Sequence, residues 1–183
     1  MFKNKNCILQ MKTIIGLTGR KRVGKSTVAS RLVCSGFYEI MFAYALKLGC
    51  MDLFNLTHAQ LFGHLKEVVD PRWNKTPREI MQYIGTSCRH FVPGIWLKHI
   101  DHFLQSTCQE YIVISDVRYP DEAAFLRSYG AIIIRIERDI PRTDTHESET
   151  QVIQADYTIE NNGTFVELFK KVDLLTNRLA SNP

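Results

Sequence analysis

Cysteine pairs, long apolar runs and blocks of like charge are all missing from this 183-residue chain. Its five cysteines, Cys7, Cys34, Cys50, Cys88 and Cys108, are scattered, so there is no C-x-x-C and no zinc-ligand spacing. An odd, dispersed set is expected as buried free thiols in a reducing compartment. No stretch approaches a membrane span, and the apolar run Cys7-Ile8-Leu9 is too short for a signal peptide. The N-x-[ST] triplets at Asn55, Asn74 and Asn162 therefore read as chance, and the protein is expected in the cytoplasm, with no membrane partner. The net charge of +4 is too mild to argue for nucleic acid and suits a protein that handles small anions.

Repeats, low-complexity tracts and long linkers are absent too, so one domain is expected over residues 12–183, after a flexible leader at 1–11. Met11 is a possible alternative start. The β-branched run Lys12–Thr18 predicts a buried strand, followed by a helix from about Lys25 to Cys34 with Val28, Ala29 and Leu32 inward. Further strands are expected at Tyr38–Phe42, Tyr111–Ser115, Ala131–Ile136 and Tyr157–Ile159. Residues 45–106 read as mostly helical. Thr76-Pro77-Arg78-Glu79 is a capping box with proline at the first helical position, and Ile80, Ile84, Cys88 and Phe91 follow as one apolar stripe. A helix runs from Pro120 to Gly130. Thr164 and Glu167 open a last helix with Phe165, Leu168, Val172, Leu175 and Leu179 inward. Strands alternating with helices predict an α/β fold with a five-stranded, mainly parallel sheet flanked by helices, whose ligands bind beyond the strand ends.

Three chemically loaded segments follow strand ends. The first is Gly19-Arg20-Lys21-Arg22-Val23-Gly24-Lys25-Ser26, then Thr27, a complete Walker A loop between strand and helix. Its glycines let backbone N–H groups turn toward a phosphate at a helix N-terminus. Lys25 can then reach the β- and γ-phosphates, and the Ser26 hydroxyl can coordinate Mg²⁺. The second is Asp116, a Walker B carboxylate or a turn cap, with Arg118 two residues on. The third runs over residues 138–150, where Arg138 and Arg142, with Arg135 before them, suit either a lid over transferring phosphate or a basic surface loop. Within it Ser148 and Gln151 make a plausible capping box. On the Thr76 helix Arg78, Gln82 and Arg89 share a face that could equally be solvated, and Gly85 beside them suggests a close approach by ligand or backbone. Lys47 alone is uninformative.

Taken in order, GRKRVGKS, FAYALK, TPREIMQYIGTSCRHFVPGIW, SDVRYPDEA, HESE and IENNGT resemble the deoxynucleoside monophosphate kinases of bacteriophages, a branch of the adenylate-kinase-like P-loop kinases. The resemblance covers residues 13–175. It implies a P-loop kinase fold with a helical acceptor-binding region at 45–106 and a short lid. It also implies transfer of the γ-phosphate from ATP, with Mg²⁺, to a deoxynucleoside 5′-monophosphate for DNA precursor supply, in the host cytoplasm if a phage encodes the chain. By the same resemblance Lys25 and Ser26 hold donor phosphates and metal, and Asp116 and Arg118 sit between the nucleotides, with Asp116 the second metal ligand. Arg138 and Arg142 serve the lid, and Asn161 and Gly163 lie near the adenine. Lys47 and Arg78 hold the acceptor phosphate, which makes Gln82 and Arg89 on the Arg78 face acceptor candidates too, and Trp96 falls either near the same region or in the core. A homodimer is compatible with it.

Two other classes compete. Animal phosphomevalonate kinases share a basic loop, an SD-x-R segment and a late E-N-x-G turn, which keeps a kinase of a non-nucleotide phosphate, such as phosphomevalonate or dephospho-coenzyme A, as the alternative. A guanine-nucleotide switch needs N-K-x-D, and Asn74-Lys75-Thr76-Pro77 lacks the aspartate.

Overall fold

The structure is a computed structural model that describes residues 12–141 and 146–181. The expected leader and the position of Arg142 lie outside the described residues. In chain order the elements are β1 (Thr13–Thr18), α1 (Lys25–Cys34), β2 (Tyr38–Ile40), α2 (Tyr44–Phe54), α3 (His58–Leu61), a 3₁₀ turn (His64–Glu67), α4 (Pro77–Phe91) and α5 (Ile95–Ser106). Then come β3 (Tyr111–Ile114), α6 (Pro120–Ser128), β4 (Ile132–Glu137), α7 (Glu147–Thr150), β5 (Tyr157–Glu160) and α8 (Phe165–Ser181). They form two compact units: the chain through Met41 together with Ser106 onward, and Phe42–Gln105.

The first unit is built on a five-stranded sheet of order β2-β3-β1-β4-β5, every pair parallel. Parallel strands are covered on both faces and so read as continuous apolar runs. Accordingly Ile14, Ile15 and Leu17 of β1 and Ile112, Val113 and Ile114 of β3 are all buried. Ile15 and Leu17 pack with Val28, Ala29 and Leu32 of α1 and with Leu168 and Val172 of α8. Because strand side chains alternate, α6, which packs on β1 and β4, covers the opposite face. Arg31 of α1 forms a two-pronged pair with Asp173 of α8 at 2.8 and 2.6 Å.

The expected strands differ from the observed ones by a residue or two at their ends. The Thr164–Glu167 box caps α8 in both directions. Phe165, expected inward, is 69% exposed and lies against Phe169. It sits in the first turn of α8, ahead of Leu168, where the helix's contact with the core begins. The Ser148–Gln151 capping box is not formed. His146 caps α7 instead, its ring accepting from the Ser148 N–H.

The second unit is helical. Cys50, Leu56, Leu61 and Ile80 form its core, with Leu46, Met51, Phe54, Met81 and Ile84 against them. The Thr76 box caps α4: the Glu79 carboxylate accepts from Thr76 N–H at 2.7 Å, and the Thr76 hydroxyl accepts from Glu79 N–H at 3.1 Å. Glu79 consequently titrates below the usual carboxylate range. Phe91, expected on the buried stripe, is 88% exposed. The core meets only the first turns of α4, and the helix outruns it. Asp70, which carried no expectation, is buried and accepts from Gln60 Nε2 (2.8 Å) and from the N–H, Nε and Nη2 of Arg72 (3.0, 2.9 and 2.6 Å). Hydrogen bonding from Arg72 outweighs burial and holds this carboxyl well below its ordinary range. The network closes the 70–75 loop directly ahead of the α4 cap.

The cysteines depart from expectation. Cys50 is buried, but Cys34 is exposed and Cys88 half-buried, and these three are free. Cys108 is disulfide-bonded. Among the described residues no helix is long and apolar enough to cross a membrane.

Candidate active site

The loop between β1 and α1 is shaped by its glycines. Gly19 (φ 132°) and Gly24 (φ 107°) both lie in the left-handed half of backbone space. A Cβ at Gly19 would collide with the Ile136 carbonyl oxygen, and one at Gly24 with the Asn161 carboxamide. Arg22 also adopts a positive φ, 64°, at a cost of about 1–2 kcal/mol for an L-residue. Strain of this size persists where surrounding structure over-determines it, commonly in ligand-binding loops. Val23 is buried among Ile136, Ile159 and the α1 side chains, and its carbonyl accepts from Asn161 Nδ2 at 2.8 Å. The loop is therefore clamped from below by an apolar anchor and from the side by the residue that follows β5.

Lys25 is buried and arches back over the loop, donating to the carbonyls of Gly19 (2.5 Å) and Arg20 (2.6 Å). The ammonium is thus held inside the loop's own curve. Ser26 is exposed in the first turn of α1, and Thr27 is half-buried behind it. Asp116 stands just past β3, half-buried. Ser26 and Asp116 fit Mg²⁺ by the chemistry of their oxygens, since that ion takes one or two protein ligands and completes its shell with water and phosphate.

A cleft of approximately 1060 Å³ opens over the loop, lined by Arg20, Lys21, Arg118, Arg138 and Glu149 among others. Its basic groups are tied together across long sequence distances. Arg20 donates weakly to the carbonyls of Ile140 (3.3 Å) and Arg138 (3.4 Å). The Lys21 N–H donates to Glu149 Oε2 at 2.9 Å, and Glu149 Oε1 pairs with Arg118 Nη1. Arg118 is fixed through its main chain as well, its N–H donating to buried Glu122 at 2.7 Å. Burial opposes the charge on Arg118, but Glu149, with Asp116 and Glu122, more than offsets this and its pKa is raised. Arg135 donates to the Ile153 carbonyl. Arg138 is exposed, and its guanidinium makes no hydrogen bond to a described residue. Asn162 accepts from the Asp139 N–H at 2.8 Å, and Gly163 is exposed at the start of the α8 cap. Neither Glu149 nor Glu122 was singled out from sequence. Both fall in segments that carry the family resemblance, HESE and SDVRYPDEA, but neither had a role of its own there.

In the helical unit Arg78 occupies the second position of α4, where free N–H groups and the helix dipole favour an anion. Its Nε pairs with Glu67 Oε1 at 2.6 Å, a partner that sequence reasoning missed. Lys47 on α2 is buried, with its ammonium 4.3 Å from the Phe62 ring centroid. Gln82 and Arg89 are half-buried along α4. Trp96 is half-buried, donates from Nε1 to the Gly85 carbonyl at 3.2 Å and stacks on His99. The close approach foreseen at Gly85 is made by a side chain: a Cβ there would lie 2.9 Å from Leu46 Cδ2.

Comparison with known proteins follows the same lines. A family model described as deoxynucleotide monophosphate kinase matches residues 51–172. A protein of Acanthamoeba polyphaga mimivirus, provisionally named a deoxynucleotide monophosphate kinase, is 35% identical over 180 residues, spanning 87% of this chain and 93% of its own. Among solved structures, TT1252 from Thermus thermophilus superposes with a TM-score of 0.56 at 17% identity, covering 95% of this chain and 100% of its own. A protein from Chloroflexus aurantiacus, provisionally described as a kinase, gives 0.54 at 14% identity over 96% of this chain and 100% of its own. At these identities the two structures speak for the fold alone.

Proposed function

The chain belongs to the deoxynucleotide monophosphate kinase family, and from that premise we propose that it transfers the γ-phosphate of ATP to a deoxynucleoside 5′-monophosphate. The observation that carries the reading is the loop of Gly19–Ser26, with two left-handed glycines, Lys25 inside its curve and a cleft above it. This arrangement suits a nucleoside triphosphate tail at a helix N-terminus.

In the transfer an oxygen of the acceptor monophosphate attacks the γ-phosphorus while the bond to the β–γ bridging oxygen breaks, and ADP leaves. The acceptor phosphate is already a nucleophile at neutral pH, so no general base is assigned. The protein's part is positioning and charge neutralisation. Lys25, Arg118 and Arg138 supply positive charge to the donor side, where Arg142 would add to it. The bound Mg²⁺ held by Ser26 and Asp116 would neutralise donor phosphate charge. In the helical unit the Nη groups of Arg78 remain to grip a monophosphate while Glu67 holds Nε, and Lys47 adds a second cation. Gln82, Arg89 and Trp96 belong to this acceptor region, and residues 138–150 to a lid.

The test is an ADP-release assay over deoxy- and ribonucleoside monophosphates, with phosphomevalonate and dephospho-coenzyme A included. Turnover with at least one deoxynucleotide is expected. Activity confined to either non-nucleotide phosphate would replace this reading with the alternative.

A further inference from the structure

We infer that Glu149 is a positioning residue for phosphoryl transfer, holding the Arg118 guanidinium and the Lys21 amide in the arrangement that the transferring phosphate meets. The inference rests on the function proposed above.

A carboxylate in a cleft meant for phosphates is out of place unless it is fully engaged. The Glu149 side chain is 3% exposed, and each of its oxygens faces a different donor. Oε2 takes the Lys21 N–H at 2.9 Å, and Oε1 takes Arg118 Nη1. Burying an unpaired carboxylate is prohibitive, so its position commits the two partners as much as they commit it. The contact crosses 128 residues of sequence to the phosphate loop and 31 to Arg118. One side chain thereby joins the loop, the turn after β3 and the helix α7.

The geometry at Arg118 favours orientation over neutralisation. Glu149 engages only Nη1, and the guanidinium makes no other hydrogen bond to a described residue. Its Nε and Nη2 edges remain available, the side chain is 28% exposed, and it lines the cleft. The Arg118 main chain is pinned independently by Glu122 at 2.7 Å. With backbone and one nitrogen both fixed, the remaining N–H groups present a pre-set fork to an anion, which saves ordering at the moment of transfer.

Glu149→Gln in the full chain tests this, with Glu149→Asp as the milder variant should the first fold poorly. Gln keeps the shape but sets an amide against the guanidinium. Three readouts are needed: steady-state kinetics with ATP and each of the four common deoxynucleoside monophosphates, calorimetric titration with ATP alone, and hydrogen exchange at the Lys21 amide. The expected result is a kcat lower by roughly 10- to 100-fold, an ATP affinity within a few-fold of the parent and faster Lys21 exchange. Glu149→Asp should fall between. Unchanged kcat and exchange would overturn the inference. So would tighter ATP binding with kcat intact, which would make Glu149 a stand-in for phosphate that the donor expels. Absence of turnover in the parent protein would instead sink the function reading. Unchanged Lys21 exchange in Glu149→Gln would then sink the inference on its own.

Discussion

The two units hold their charged groups by different means. In the sheet unit the loop gets its shape chiefly from its own residues: two glycines at positive φ, a lysine hydrogen-bonded to loop carbonyls and an apolar anchor at Val23. In the helical unit the same kind of task falls to side chains from separate elements. Arg78 is aimed by Glu67, the loop before α4 is closed by Asp70 and Arg72, and Lys47 rests on a phenylalanine ring. Devices within one loop leave a compact motif in the sequence, whereas pairings between elements leave scattered residues that mean little singly.

The sharpest way to break this contrast is at Lys25. Lys25→Ala should cut turnover by orders of magnitude on the proposed role of the lysine in stabilising charge on the transferring phosphate. Its two hydrogen bonds to Gly19 and Arg20 carbonyls are lost as well. Loop amides should therefore exchange faster while circular dichroism stays native. A folded variant with near-normal turnover would remove the central claim.

The matching change in the helical unit is Arg78→Ala. Charge-assisted hydrogen bonds are typically worth about 1.5–3 kcal/mol each, so the KM for the deoxynucleotide should rise tenfold or more. The KM for ATP should stay within a few-fold. Arg78→Lys should rescue only in part, because an ammonium lacks the planar fork. Varying each substrate in turn decides it, and a selective loss of ATP affinity would assign the acceptor to the wrong helix.

Asp70→Asn probes scaffold, not chemistry. It should lower the melting temperature by roughly 5 °C at neutral pH. Asp70 has a depressed carboxyl pKa in the folded protein, so its contribution is present above its unfolded value, about 3.9, and is lost as pH falls toward the folded one. The gap between parent and variant should thus hold steady above about pH 5 and shrink in more acidic solution. A gap that widens on acidification would contradict the assigned network.

The smallest effect is at the thiols. Burial, reinforced by Cys88, pushes the Cys50 thiol up to about 11, and Cys50 is enclosed. A maleimide reagent at neutral pH should label exposed Cys34 well before Cys50, with no change in fold. Equal rates would mean that the helical core opens readily.

Much of this was legible in advance, and for physical reasons. The strands and the Thr76 and Thr164 caps depend on neighbours within a few residues, so local pattern suffices. The phosphate loop is legible because phosphate binding demands particular residues at fixed spacing. What escaped detection depends on distant partners. Glu149 meets Lys21 and Arg118, Glu67 meets Arg78 across 11 residues, and Asp70 meets Gln60 across 10. The misplaced Phe91 and Phe165 share another cause. Periodicity tells which way a side chain points but not whether anything is there to cover it.

The bond from Asn161 to the Val23 carbonyl has a consequence in the order of synthesis. One brace of the loop leaves the ribosome 138 residues after Val23. Until that late carboxamide is in place, the loop has its glycines and its lysine but not its lateral support. The loop's lateral brace is therefore complete only once the chain has passed β5.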